Sequence, residues 1–498
     1  MKQSNFILRK ERNSMRKIWK QLAAGSLAAL MVLSFGACND SSGDGGGADR
    51  VIEALEGENP VSLGGQTFKV VDFSGSRWNR ENNGTPYYDA WQQVLDEVEY
   101  LYDCKIELEV VAPGELFSKL QPEIMAGGKY ADIVCTTQWA YGQLIGADLM
   151  ANLNDLPVNW DNPWWNQNIR EMSTVQGETY AANGSFIFDA AQTWLMYYNE
   201  SIWNELQLPN PYDLVNSGKW TVDKMREYCR MAMRDNDGSG KVDSKDDRWG
   251  VLAADGDFCR ALFMALGGHY FNTNEEGRVQ LACNNERTYN IVEKMANMVQ
   301  KDGSVCKLKF ADEAEKMACF SQGNSLFYCY MPGADGLKDM EDSWGVMPLP
   351  KFDESQEKYL SGVDHNATVC GVTSTNEDNF EAVGTLLEAL GRHAVILEDI
   401  YWPDYEETYW RHPEDGEVVA NHVAKRGQYD MALIMQNCNP AFSSPMSLVM
   451  GSVYGSNTDF ASAVQASSDA IATIINDYFD YEDEATDSTA PDNTEAAE

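Results

Sequence analysis

Between residues 67 and 135 the hydrophobic period of this chain switches back and forth, and that switching limits the folds open to it. Residues 67–73 (Thr-Phe-Lys-Val-Val-Asp-Phe) form a short apolar run of strand length. Residues 87–102 carry Trp91, Val94, Leu95, Val98 and Leu101 at helical spacing. A second strand pattern follows at 105–111, a helix at 116–125, and a third short strand at 132–135. Strand, helix, strand, helix, strand predicts an α/β lobe on a largely parallel sheet, because parallel neighbours need a crossover and each helix supplies one. In such sheets ligands meet the loops at the carboxyl ends of strands. Trp78 and Glu81 lie on one such loop and Trp139 on another. Each Trp could equally pack beneath its own loop, and the plainer reading of Glu81 is a side chain facing water.

One lobe does not use up the chain. Its 498 residues exceed a single core, so two or three domains are expected. At the start, Arg16, Lys17 and Lys20 precede an apolar run at 22–35, too short for a comfortable membrane span. The run ends in Phe35-Gly36-Ala37-Cys38, which resembles a bacterial lipobox and implies lipidation of Cys38, with 1–38 as a lipoprotein signal peptide. Phe35 departs from the usual Leu, and Met15 is an alternative start. Residues 39–63, rich in Gly, Ser and Asp, read as a flexible tether, with a brief helix near 51–55. Residues 1–37 hold a surplus of six positive charges, so the net charge of −39 becomes −45 without them. A surface this acidic repels phosphate backbones, which argues against nucleic acid as a partner.

The middle of the chain carries the most specific pattern. In order come Asn154-Asp155-Leu156-Pro157, Pro163-Trp164-Trp165-Asn166-Gln167-Asn168, Gly177-Glu178-Thr179-Tyr180, Tyr197-Tyr198-Asn199-Glu200 and Asn216-Ser217-Gly218-Lys219-Trp220-Thr221, then an acidic loop at 235–247. This order resembles extracellular solute-binding lipoproteins of ABC importers, family 1, the carbohydrate-associated branch. The resemblance implies a two-lobed periplasmic-binding-protein-like fold of type II, in which discontinuous α/β lobes are joined by a hinge of about three crossing segments. It implies a monomer that closes on a solute, here expected to be an oligosaccharide, and hands it to ABC permease subunits. The expected division is 64–174 for the first part of lobe 1, 175–326 for the first part of lobe 2, 327–372 for the return to lobe 1, 373–480 for lobe 2 helices, and 481–498 for an acidic disordered tail. Sugar rings stack on aromatic faces, and their hydroxyls bind carboxylates and amides. Loop position and residue type therefore single out Trp78, Trp139, Trp194 and Trp402 for stacking, and Glu81, Asp189, Asp255, Asp364 and His365 for polar contacts.

The loop from Asp235 has calcium-loop spacing. Asp235, Asp237, Ser239, Asp243 and Asp246 place side-chain oxygens at positions 1, 3, 5, 9 and 12, Lys241 offers its carbonyl at 7, and Gly240 supplies the turn at 6. Asp246 stands where EF-hands have a bidentate Glu. A structural Ca2+ is expected, with a metal-free polar turn as the rival reading.

The ten cysteines after Cys38 invite a disulfide framework. Several of them sit within apolar runs, so mostly reduced, buried thiols are the expectation. No C-x2-C pair, nucleophile elbow, P-loop or H-E-x-x-H is present, and a binding protein rather than an enzyme is expected. The alternatives are a glycan-docking or adhesion lipoprotein without a transporter and, less favoured, a secreted glycoside hydrolase.

Overall fold

The computed structural model describes residues 46–74, 78, 85–187, 192–253, 255–424, 426–455, 459–479 and 481. The signal segment with Cys38, Glu81, Asp189 and most of the acidic tail lie outside the described residues. Helix α1 (Gly46–Leu55) leads into strand β1 (Gln66–Asp72), α2 (Pro86–Tyr102), β2 (Cys104–Val110), α3 (Pro113–Met125), β3 (Ile133–Thr137) and α4 (Gln138–Ile145). Helix α2 shows why the local pattern was readable. Pro86 suits the first turn, Trp91, Val94, Leu95 and Val98 fall on one buried face, and Asp103 ends the helix in the left-handed region at φ 52°.

The second half supplies β4 (Leu195–Asn199), α5 (Val222–Ala232), β5 (Trp249–Leu252), α6 (Asp255–Ala265), α7 (Glu286–Ala296), α8 (Glu313–Ser321), β6 (Ser325–Tyr330) and β7 (Trp344–Met347). Then follow β8 (Ser361–Gly362), β9 (Thr368–Val372), α9 (Phe380–His393), α10 (Ile396–Tyr409), α11 (Pro413–His422), β10 (Gly427–Gln428), α12 (Met431–Met435), α13 (Pro440–Tyr454) and α14 (Phe460–Tyr478).

Two four-stranded sheets organise these elements, in the orders β9-β3-β1-β2 and β7-β4-β6-β5. In the first, β1 runs parallel to both β2 and β3, and β9 closes the far edge antiparallel to β3. In the second, β4 is antiparallel to β6 and β7, while β6 and β5 are parallel. The mixed α/β, two-lobed architecture is as expected; the chain's route through it differs in three places.

The return to the first lobe does not begin at residue 327. β6 and β7 both pair with β4 in the second sheet, with Phe327 opposite Tyr198 and Val346 opposite Tyr197. The chain rejoins the first sheet only at β9. Nor do residues 373–480 form one group of lobe 2 helices. Helices α9 and α10 pack on α2 of the first lobe, and α12 packs on α4, while α13 and α14 cover α6 and α7 of the second. An amphipathic helix shows that it has a partner but not which one, so the sequence alone could not assign these helices.

The third difference is the tether. Residues 46–55 are helical and docked, with Val51 and Ala54 each only 6% exposed. Arg50 meets Glu398 at 2.9 Å and Asp399 at 3.3 Å, and Arg392 Nη1 donates to the Ala54 carbonyl at 2.8 Å. Beyond the helix, Glu58 lies 2.8 Å from His393 Nε2 and accepts from the Tyr102 hydroxyl at 2.6 Å. Burial alone would lower the His393 pKa, but hydrogen bonds to Glu58 and Glu97 overcome it and lift the imidazole to about 9. Burial would likewise raise Glu58, yet the bonds from His393 and Tyr102 hold it below the usual carboxylate range. The histidine contribution is thus complete below the unfolded value of about 6.5 and is lost as pH rises through about 9. The Glu58 contribution is present above about 4.3 and is lost as pH falls below it. Protection factors for amides at 46–58 are expected to be highest between about pH 5 and 6.5 and to fall toward pH 9. Unchanged protection across that alkaline range would show that the pair does not hold the segment.

Candidate functional site

Three extended stretches run side by side between the lobes. Thr193 bridges Val363, Trp194 N–H donates to the Gly362 carbonyl at 3.0 Å, and Asp364 N–H donates to Gln192 at 2.8 Å. On the other side β8 pairs with β10, and Val363 N–H donates to Gln428 at 3.1 Å. The crossing stretches lie at 192–194, 361–364 and 427–428, three in number as the resemblance implies, although the last falls within the part of the chain expected to hold only lobe 2 helices. Strands this short, held by a few ladder bonds, can absorb the dihedral changes of hinge bending.

A polar cluster sits on them. Asp364, 3% exposed, accepts from Trp194 Nε1 at 3.1 Å, and from the Asn366 main-chain N–H at 2.8 Å and amide at 2.9 Å. His365 Nδ1 lies 3.4 Å from Asp257, 3.6 Å from Asp364 and 3.0 Å from Arg260 Nη2. Arg260 and Asp257, three apart on α6, are ion-paired. Burial pushes the Asp257 carboxyl above the usual range; Arg260 pulls it back, and the neighbouring Asp364 charge adds to the rise. From the first lobe, Gln138 Nε2 donates to the Asp364 carbonyl at 3.1 Å and Trp139 Nε1 donates to Asn366 at 3.1 Å. The cluster therefore links α6 of one lobe, two crossing segments, and the start of α4 in the other lobe.

Two further features adjoin it. The side-chain oxygens Thr136 Oγ1, Thr137 Oγ1 and Gln138 Oε1 are buried at the end of β3 and have no hydrogen-bond partner among the described residues. Buried polar atoms are nearly always paired, so three in succession at a strand's carboxyl end suit a place where hydroxyls or water arrive. Thr193 lines a cavity of about 260 Å³, together with Trp164, Trp165, Asn166, Asn183, Glu398 and Tyr429. Asn166 Nδ2 donates to the Tyr429 hydroxyl there at 3.0 Å.

The candidate residues fare unequally. Trp194, Asp364 and His365 are brought together, and Trp139 joins them through Asn366. Trp78 is not a stacking platform. It is 3% exposed, donates to Asp72 Oδ2 at 2.7 Å, and packs edge-on against Trp91 and Phe186. Trp402 lies within helix α10 rather than in a loop, edge-on against Tyr401 and Tyr405. Asp255 is the first residue of α6. The sequence reading missed Asp257, Arg260, Gln138 and Asn366. Asp257 and Arg260 carried a signal, since an acid and a base three apart at the start of a helix after β5 can pair at its cleft end.

A family model described as bacterial extracellular solute-binding protein matches residues 82–374. The chain belongs to this family. No curated protein matches this solute-binding protein by sequence. Among solved structures, it is similar to the cyclic alpha-maltosyl-1,6-maltose binding protein from Arthrobacter globiformis, with 14% identity over 84% of this chain and 100% of that one, at a TM-score of 0.54. It is also similar to a cyclo/maltodextrin-binding protein complexed with maltotetraose, with 17% identity over 84% and 99%, at 0.53. The maltose-binding MalE of Listeria monocytogenes, in complex with maltose, shares 15% identity over 83% and 97%, also at 0.53. The fold of the solute-binding protein is thus the two-lobed fold of these binding proteins. Among its described residues, no helix is long and apolar enough to cross a membrane.

The acidic loop lies apart from the crossing segments, between α5 and β5. Asp235, Asp237 and Asp247 can each bring one carboxylate oxygen within 4.8 Å of the others. Asp246, the residue expected at position 12, is exposed, and only its carbonyl is engaged, by Asn236. Its neighbour Asp247 is fully buried instead, accepting from the main chain of Asn236, Asp243 and Ser244 and from the Ser244 hydroxyl. Burial alone would raise the Asp247 pKa, but these bonds hold it at about 2. Ser239 donates to the Lys241 carbonyl at 3.2 Å, and Asp243 is exposed. A donor set of carboxylate, carbonyl and hydroxyl oxygens fits a hard dication.

Proposed function

We propose that this solute-binding protein captures an oligosaccharide between its lobes and delivers it to an ABC permease, held at the extracellular face of the membrane through lipid on Cys38. The observation that carries this reading is the Trp194–Asp364–His365–Asp257–Arg260 cluster on the crossing segments, with Trp139 and Gln138 reaching it from the other lobe. Carboxylates, amides and a guanidinium beside aromatic rings suit a ligand rich in hydroxyls. The three structural relatives carry maltose, maltotetraose or a cyclic maltosyl-maltose in their names, which supports the same class. Because the cluster spans the hinge, a ligand that completes its hydrogen bonds favours the closed arrangement over the open one. In a thermal-shift screen, linear or cyclic oligosaccharides are expected to raise the midpoint. A hundredfold excess over the dissociation constant adds about 2.7 kcal/mol of stability. A response to peptides or amino acids but to no sugar would overturn the substrate class.

The loop at 235–247 is proposed to hold Ca2+ structurally, with Asp235, Asp237 and the Lys241 carbonyl as expected and Asp247 in the inward position first assigned to Asp246. The ion would draw three carboxylates together and stiffen the connection between α5 and β5. Chelation is expected to lower the thermal midpoint by several degrees, and added calcium should restore it. Asp237→Asn should abolish that calcium response. An identical midpoint with and without chelator would sink the proposal.

A further inference from the structure

Nine of the ten described cysteines are buried, and one pair stands apart by its place in a sheet. Cys135 of β3 and Cys370 of β9 are direct partners across an antiparallel ladder. Such ladders alternate between residue pairs that exchange both main-chain hydrogen bonds and pairs that exchange none. Cys370 directs both its main-chain groups away from Cys135. Its N–H donates to the Ala182 carbonyl at 2.8 Å, and its carbonyl accepts from the Ala182 N–H at 2.8 Å. Two residues on, the Val372 carbonyl accepts from Ala151 at 2.8 Å; two residues back, the Thr368 carbonyl accepts from Asn183 Nδ2 at 3.0 Å. The alternation is regular, so Cys135 and Cys370 form a pair without mutual main-chain bonds.

Pairs of this kind are the narrow ones, with Cα atoms about 4.5 Å apart and side chains close on one face. Disulfides need Cα separations of about 4.4–6.8 Å, so the backbone already meets the requirement. The side chains share the core face with Phe68, Ile133 and Val372, and are 0% and 1% exposed. No other two cysteines are ladder partners among the described residues.

We propose that Cys135 and Cys370 are a convertible dithiol that closes to a cross-strand disulfide when the protein meets a disulfide oxidant. The exchange balances as two successive displacements. One cysteine thiolate attacks a sulfur of oxidised glutathione, or of a disulfide-donating oxidoreductase, and releases the first thiol of that donor. The second cysteine thiolate then attacks the mixed disulfide at the protein sulfur and releases the second thiol. The two protein thiols lose two electrons and two protons, and the donor disulfide gains them. Burial confines the exchange to states in which β9 is detached from β3, as during folding after export. The bond would join the strand reached directly from the crossing segment at 361–364 to the strand that runs into Gln138 and Trp139. It would thereby clamp the first-lobe wall of the cleft.

The test is refolding. Protein unfolded under reduction is refolded in mixed oxidised and reduced glutathione, its remaining thiols are alkylated, and it is digested without reduction. The expected products are one linked peptide pair containing Cys135 and Cys370, and two fewer alkylated thiols than in fully reduced protein. The thermal midpoint should stand several degrees above that of the reduced protein, since the link closes a loop of more than two hundred residues. Dithiothreitol should erase the difference. Cys370→Ala should lack the oxidant-dependent rise, whereas Cys438→Ala should retain it. Both thiols alkylated across a wide range of glutathione ratios, or either joined to another cysteine, would overturn the proposal whatever the ligand screen returns.

Discussion

Asp364→Ala is expected to remove about 3 kcal/mol of folding stability and to abolish the ligand-induced rise in thermal midpoint. Its carboxylate accepts three hydrogen bonds, one from a buried indole and two from Asn366, in a setting that is 3% exposed. Alanine leaves the buried Trp194 indole N–H facing a void that offers no acceptor, and an unsatisfied buried donor costs about 1–3 kcal/mol, while the exposed Asn366 loses its carboxylate partner and turns to water. It also frees Trp194, whose ring stands edge-on to Tyr330 at 6.0 Å. Asp364→Asn keeps the volume and one acceptor oxygen, so its stability loss should be nearer 1 kcal/mol, while ligand affinity still falls. Urea unfolding gives the first quantity and calorimetric titration the second. Unchanged ligand affinity in the alanine variant would place the ligand elsewhere, and the cavity beside Trp164 and Thr193 would become the leading site.

Trp220→Ala should be costlier still, at about 4 kcal/mol. This residue opens the Trp-Thr pair before α5 and is completely buried. Its ring stacks near Tyr228 and tilts against Phe327, and its indole N–H donates to the Pro348 carbonyl at 2.9 Å. Main-chain bonds reinforce the same contact, since Lys351 N–H donates to Trp220 and Val222 N–H donates to Lys351. The substitution therefore opens a large cavity and releases the segment after β7 from α5. Trp220→Phe retains most of the packing but loses the hydrogen bond, so a loss of about 1–2 kcal/mol is expected. Denaturant titration by circular dichroism separates the two, and equal losses would show that packing around the indole contributes little.

The candidate cluster was legible in part because its residues follow strands. Trp139 and Asp364 lie where extended segments end or cross, and position plus residue type was enough to single them out. Trp78 met the same criteria and is a core residue, because Asp72 at the end of β1 turns its indole inward. Nothing local distinguishes a loop tryptophan that stacks on a ligand from one that closes a core. The difference lies in the partner its N–H finds. The acidic loop makes the same point at the scale of one residue. Spacing pointed to Asp246, whereas four hydrogen bonds select Asp247 as the buried carboxylate.

The sequence by itself determined the strand and helix periods of the first lobe, the family through the ordered motifs at 153–250, and the two-lobed fold that follows. These are properties of short windows, where apolar spacing, caps and turn residues act between neighbours in the chain. Only the tertiary structure decided that β6 and β7 belong to the second sheet, that α9 and α10 cover the first lobe, and that residues 46–55 are docked. It alone joined Asp257 to His365 and set Cys135 opposite Cys370. Each of these depends on which surface meets which across long stretches of chain. Strand pairing and helix docking are chosen by complementary burial and hydrogen bonding over the whole fold, and a hydrophobic period records that a face must be covered without recording by what.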